Sequence, residues 1–261
     1  MRDQLKIFFT AMMFLTRIPC PSWVDHAPDS LAKSTVYFPL IGVLVGGIGA
    51  LVYRLIACAY SPNFAALCGI AATVIITGAF HEDAFADVCD GFGGWTAQRR
   101  LEIMRDSRVG SFGVAGLVLL IGAKATLLGG MPVSRAAVAF LAAHAVARWS
   151  SLIMIARFPY VTDSASLARP FAGAVTPTRL LFGTLLAAAA AALCGPATTA
   201  IALFAVTLLL CQGAGTFFRK WVGGISGDCI GAVNQLTELL CYAVLVQSSS
   251  LESAARHLMH V

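Results

Sequence analysis

The chain has 261 residues, of which 58% are hydrophobic and only 12% charged, and its mean hydropathy is +0.81. A soluble domain carries about a quarter charged residues, so the composition excludes an ordinary soluble enzyme and points to an all-α, polytopic membrane bundle. The formal net charge of +5 suits anionic lipid or phosphate as neighbours and is too small to argue for nucleic acid.

The first segment, "MRDQLKIFFTAMMFLTRIPCP", has a short apolar core flanked closely by Asp3 and Lys6, and "TRIPCP" is no small-residue cleavage site. Residues 1–34 therefore read as an interfacial segment, with Arg2, Lys6 and Arg17 at the headgroups. Seven apolar runs follow as candidate spans: Val36 to Cys58, Phe64 to Phe80, Phe112 to Leu128, Ala136 to Ile155, Leu180 to Cys194, Thr198 to Phe218 and Ile230 to Val246. They place a single transmembrane domain over 35–247 and a tail over 248–261. The fifth run is short for a span.

Short turns ("SPN", "GGMP", "GP") alternate with long polar loops at 81–111, 157–179 and 219–229. Thirteen of the eighteen Lys and Arg residues precede the first span or lie in or beside those loops. The exceptions are Arg54, Lys124, Arg135, Arg148 and Arg256. The positive-inside rule then puts the N-terminus and all three long loops in the cytoplasm. An odd number of spans leaves the C-terminus outside. The eight cysteines form no CxxC pair and lie mostly in apolar runs, so they read as small buried residues rather than a disulfide or zinc framework.

The chemistry concentrates where spans end. In "FHEDAFADVCDGFGGW", Asp83, Asp87 and Asp90 are spaced i, i+4, i+7 and share one helix face, with Glu82 pointing elsewhere. Three stacked carboxylates repel one another, and a divalent cation relieves that. Oxygen-only ligands favour Mg²⁺ or Mn²⁺ over zinc. The alternative is an ordinary solvated helix end. Gly91, Gly93 and Gly94 end the helix. His81, one turn before the acidic face, reads as a general base or as a hydrogen-bonded support.

"RRLEIMRDSRVGSFG" offers Arg105 and Arg108 as phosphate binders, Asp106 as a further ligand or ion-pair partner, and the backbone of Gly110 at the start of the next span. Positive-inside anchoring would explain the charges alone. "RKWVGGISGDCIGAVNQLTEL" places Gly224 and Gly227 beside Asp228 at a helix start, where Asp228 is either a site carboxylate or a plain N-cap. Glu238 lies about ten residues into the following helix. A buried acid there needs a partner, and Arg148 in the fourth span is the candidate. "ARPFAGAVTPTR", in the second long loop, either closes over a substrate or is an ordinary loop.

Acidic residues for a divalent metal, arginines for phosphate and Gly-rich turns at one membrane face make a metal-dependent transferase acting on a diphosphate. "DVCDG" fits the "DxxDG" start of membrane CDP-alcohol phosphotransferases, but "FGGWTAQRR" lacks their later Asp residues. Membrane prenyltransferases want a second Asp-rich helix, and Asp228 stands alone. An ion-coupled transporter would hold its acids near the midplane.

The chain more closely resembles the cobalamin synthase family (adenosylcobinamide-GDP ribazoletransferase). The matching stretches are "FLTRIPCP", "FPLIG" at Phe38, "TGAFHEDAFADVCDG" at Thr77, "LEIMRDSRVGSFG" at Leu101 and "GGISGDCIGA" at Gly223. They run in order along nearly the whole chain. Glu82 and Ala84 depart from the family pattern, and the 157–179 loop matches poorly.

The resemblance implies a Mg²⁺-dependent, multi-pass inner-membrane enzyme whose active site faces the cytoplasm. Its reaction joins adenosylcobinamide-GDP to α-ribazole or its 5′-phosphate and releases GMP. By the same resemblance, Asp83, Asp87 and Asp90 hold metal, Asp228 completes the metal site or orients the ribazole hydroxyl, and Arg105 and Arg108 stabilise charge on the phosphoryl group or the departing GMP. His81 or a carboxylate takes the proton of the attacking hydroxyl. It also leaves room for association with other nucleotide-loop assembly enzymes.

Overall fold

The structure, a computed structural model, describes residues 2–24, 27–161 and 171–259, with side chains as far as 248. Part of the second long loop, including Arg169 and the start of "ARPFAGAVTPTR", lies outside the described residues, as does the side chain of Arg256.

Among the described residues the chain is all-helical, without a strand. The helices are α1 (Arg2–Leu15), α2 (Pro28–Ser34), α3 (Phe38–Ala57), α4 (Pro62–Thr77), α5 (Phe80–Gly91), α6 (Ala97–Met104), α7 (Ser111–Gly129), α8 (Val133–Arg157), α9 (Pro177–Ala192), α10 (Ala197–Trp221) and α11 (Gly227–Met259), with a 3₁₀ turn at Thr35–Tyr37. Pro sits in the first turn of α2, α3, α4 and α9, where its missing N–H is no loss.

All seven expected spans are helical, but among the described residues five helices are long and apolar enough to cross a membrane, or six if one bent pair counts as a single span. Two differences explain the gap from seven. The second run ends at Thr77, and the chain turns by 94° into α5. The fifth, α9, has 16 residues, a rise of about 24 Å against a hydrocarbon core of about 30 Å.

α8 is the hub. Most of it is buried, and it packs against α3, α9, α10 and α11. Its run of alanines lets neighbours approach from all sides. The outer helices α7 and α10 instead expose Val118, Leu119, Ile201 and Leu209, as lipid-facing helices must. α1 does not float free. It buries Ala11, Met12 and Leu15 in a cluster with Phe38, Ile41, Val45, Leu152 and Phe171.

The three long loops meet at one end of the bundle. Arg100 in the first donates from NH1 to the Trp221 carbonyl at 2.9 Å, and its guanidinium lies 5.2 Å from the Trp221 ring. The second and third are joined by a parallel bridge between Tyr160 and Ile225, in which Val161 N–H donates to the Ile225 carbonyl at 3.0 Å and Ile225 N–H to the Pro159 carbonyl at 2.9 Å. Gly224 fits beneath this bridge, where a Cβ would lie 2.6 Å from the Pro159 oxygen.

Candidate active site

An elbow aims the acidic helix. At the end of α4, Gly78 (φ +66°) and Ala79 (φ +57°) both adopt left-handed backbone. Ala79 N–H closes the helix on the Val74 carbonyl at 2.8 Å. The sharp turn swings α5 against α7 and α11. Gly231 on α11 has no side chain because Ala84 of α5 fills that space.

Beside α5 opens a cavity of about 450 Å³, within the roughly 300–1,000 Å³ typical of small-molecule pockets. Part of its lining is polar: His81, Asp83, Arg105, Ser226 and Asp228. Another part is aromatic. The Phe14 ring lies 4.9 Å from that of Phe171 and 5.3 Å from that of Phe80, with Phe38 5.8 Å from Phe171.

Asp228 is not the helix cap. Ser226 Oγ accepts the Cys229 N–H at 3.3 Å and so caps α11 itself. Ser226 Oγ also lies 3.3 Å from Asp228 Oδ2, and Asp228 faces the cavity. Asp228 is within electrostatic reach of Asp83 and Arg105. Asp87 is within reach of Asp83, Asp90 and Asp228 but does not line the cavity. The two acidic segments, far apart in sequence, therefore converge.

Asp90 is used differently. Its Oδ2 accepts the Gly110 N–H at 2.7 Å and its Oδ1 the Gly113 N–H at 2.8 Å. It acts as a remote cap for α7, whose own N-cap, Gly110, offers no side chain. A Cβ on Gly110 or Gly113 would come within 2.5 Å of an Asp90 oxygen, which is why both positions are glycine. The N-terminus of α7 does meet an anion, and that anion is Asp90. Arg108 turns outward, with its side chain 86% exposed and paired to Asp106 at 2.6 Å. Those bonds hold the Asp106 carboxyl down at about 2. Arg108, Gly110 and Gly224 are thus apart from the cavity, and Gly227 lines it.

Behind His81 lies a buried polar network. Glu238 contacts Arg148, as the sequence suggested, and also receives Lys124 at 2.7 Å and His144 Nδ1 at 2.9 Å. Lys124 also contacts Gln235, whose Nε2 donates to Glu82 Oε1 at 2.8 Å. Sequence reading missed Lys124, His144, Gln235 and Glu82 as partners. The usable signal was a lysine inside an apolar run, which demands a carboxylate. Among the described residues no disulfide joins the cysteines.

Among the described residues no three His, Cys, Asp or Glu side chains stand ready to enclose a metal. Two oxygen-donor carboxylates share the cavity wall beside one arginine. Mg²⁺ commonly takes one or two carboxylates together with substrate phosphates, so these residues fit a cation that is completed by a diphosphate.

Residues 7–246 match the family described as CobS, cobalamin-5-phosphate synthase. The chain is 38% identical over 250 residues to a Shewanella pealeana protein named adenosylcobinamide-GDP ribazoletransferase, covering 94% of this chain and 96% of that one. A Shewanella frigidimarina protein of the same name is 40% identical over 248 residues, covering 93% and 95%. One from Vibrio cholerae is 35% identical over 253 residues, covering 94% and 95%. No solved structure matches the chain.

Proposed function

The chain belongs to the cobalamin-5-phosphate synthase family, and from that membership we propose that it joins adenosylcobinamide-GDP to α-ribazole, or to α-ribazole 5′-phosphate, and releases GMP. The observation that supports this best is the cavity that Asp83, Asp228 and Arg105 line together with four phenylalanines. It suits a ligand that is anionic at one end and aromatic at the other.

In this reading a ribazole hydroxyl oxygen attacks the phosphorus that bears the cobinamide. The P–O bond to GMP breaks, and GMP leaves with the electron pair. Asp83 and Asp228 would hold Mg²⁺, with Asp87 in reserve behind them. Bound there, Mg²⁺ supplies charge neutralisation on the diphosphate. Arg105 donates to phosphoryl oxygens as their charge grows. A carboxylate of the same wall takes the hydroxyl proton. Phe14, Phe80 and Phe171 exclude water and pack the aromatic base. A cavity of about 450 Å³ has room for a nucleoside but not for a corrin ring, so the corrinoid stays at the mouth. Asp90 fixes the loop that carries Arg105 and is given no metal.

We assign the loop end of the bundle to the cytoplasmic side of the inner membrane, because the Lys and Arg residues gather there. The testing experiment supplies purified protein in detergent with adenosylcobinamide-GDP and α-ribazole, with Mg²⁺ or with excess EDTA. Mg²⁺-dependent GMP release with cobalamin formation supports the reading. Folded protein that releases no GMP overturns it, and CDP-alcohols and prenyl diphosphates are then the donors to try.

A further inference from the structure

His81 is buried near the start of α5 and forms part of the cavity wall. Its two ring nitrogens have different surroundings. Nδ1 lies 3.4 Å from NH2 of Arg148. A guanidinium has only donors, so Nδ1 accepts and carries no proton. In a neutral imidazole the proton then sits on Nε2. Among the described residues Nε2 has no protein partner. Nor is it one of the polar side-chain atoms sealed from solvent without a partner. On a ring that lines the cavity, this leaves the Nε2–H open to a ligand.

Arg148 is itself immobilised. Glu238 holds it, and the same carboxylate receives Lys124 at 2.7 Å and His144 at 2.9 Å. Swinging Arg148 away would unpair charges in the apolar interior. The tautomer of His81 is therefore dictated from inside the bundle.

We propose that His81 is a neutral hydrogen-bond donor, giving its Nε2–H to a phosphoryl oxygen of the bound diphosphate, and that Arg148, held by Glu238, is the positioning residue that sets this tautomer. The identity of the anion rests on the ribazoletransferase reading. His81 is then not the base, because Nε2 already carries a proton and Nδ1 is occupied by Arg148. The proton of the attacking hydroxyl goes to a carboxylate oxygen of the cavity wall that does not hold the cation. A fixed donor aimed at an oxygen whose charge grows is a recognised source of rate.

Two measurements on the full-length protein in detergent test this. The first is ¹⁵N NMR of histidine-labelled protein, with the His81→Gln spectrum identifying the resonances of His81. An unprotonated Nδ1 and a protonated Nε2 are expected. The reverse pattern overturns the proposal, whether or not the protein turns over. The second is GMP release by folded His81→Ala and His81→Gln variants. Alanine should lower kcat on the order of a hundredfold with little change in KM. Glutamine, which keeps an N–H near the place of Nε2, should stay within about tenfold of the parent chain. Glutamine as slow as alanine overturns the donor role. Failure of the unmodified protein to release GMP overturns the reaction reading instead, and the NMR result still decides the tautomer.

Discussion

Glu238 of α11 contacts Arg148 of α8 deep inside the apolar bundle, with both residues only 2% exposed. Lys124 from α7 and His144 from α8 close on the same carboxylate. Three side chains from two helices thus depend on one acid of a third.

Removing that acid alone leaves two cations unpaired out of water. Glu238→Ala is expected to destabilise the protein by about 3–5 kcal/mol, seen as a large drop in the thermal unfolding midpoint in detergent. Replacing Glu238, Arg148 and Lys124 together by apolar residues of similar volume should restore most of the stability. It should not restore turnover, because His81 loses Arg148. A single Glu238→Ala variant as stable as the parent would remove the network from the fold's support.

The Asp90 clamp makes a second prediction. Asp90→Ala strands the Gly110 and Gly113 N–H groups, at about 1–3 kcal/mol for each buried donor left unmet. The segment 94–110, which carries Arg105, should loosen. Faster hydrogen exchange and proteolysis there, with weakened donor binding, are the expected results. Gly113→Ala should do the same, because its Cβ would meet an Asp90 oxygen at 2.5 Å. An unchanged exchange pattern in both variants would end the clamp interpretation.

The cavity carboxylates should behave as catalytic groups rather than caps. Asp83→Asn and Asp228→Ala are each expected to lower GMP release on the order of a hundredfold or more, and Asp87→Ala by less. Their melting should stay close to that of the parent. Raising Mg²⁺ should rescue a weakened metal site in part. An Asp228 variant with near-normal turnover would place that residue outside the site, since Ser226 already caps α11.

Arg105 and Arg108 separate cleanly. Arg105→Ala should raise KM for the diphosphate donor and lower kcat. Arg108→Ala removes an outward pair and should change neither rate nor melting at neutral pH. The sign of its pH dependence follows from Asp106, whose folded-state carboxyl is held down to about 2. The pair's small contribution is full above the unfolded carboxylate value of about 4 and is lost as pH falls toward 2. Assays from pH 6 to 8 should therefore show no difference between Arg108→Ala and the parent, and a loss of activity there would return Arg108 to the site.

Much of this was legible in residue order. The apolar runs mark every long helix, and the i, i+4, i+7 spacing of Asp83, Asp87 and Asp90 follows from helical period alone. Pairing was harder. Asp90 looks equivalent to Asp83 in a helical projection, yet it is spent on the backbone of α7, a contact 20 residues away. Arg105 and Arg108 look equivalent too, until the local turn gives Arg108 to Asp106. The elbow was hidden because nothing in "IITGAFHED" announces a second left-handed residue after Gly78. Ala79 is not a residue type that usually adopts that backbone. Of the network around Glu238, residue order offered Arg148 as a partner, but not Lys124 or His144, because it gives no map of which helices meet.

The elbow also makes the first helix part of the enzyme's working surface. Arg17 N–H donates to the Ile76 carbonyl at 2.7 Å, and the Arg17 side chain fills the space left by Gly78. Phe14 and Leu15, three and two residues earlier, form part of the cavity wall. Anyone trimming the amino end for crystallisation, or fusing a bulky tag close to Arg2, would be disturbing the brace of the elbow and the lining of the pocket at once. Purification handles and fluorescent labels belong at the other end of the chain.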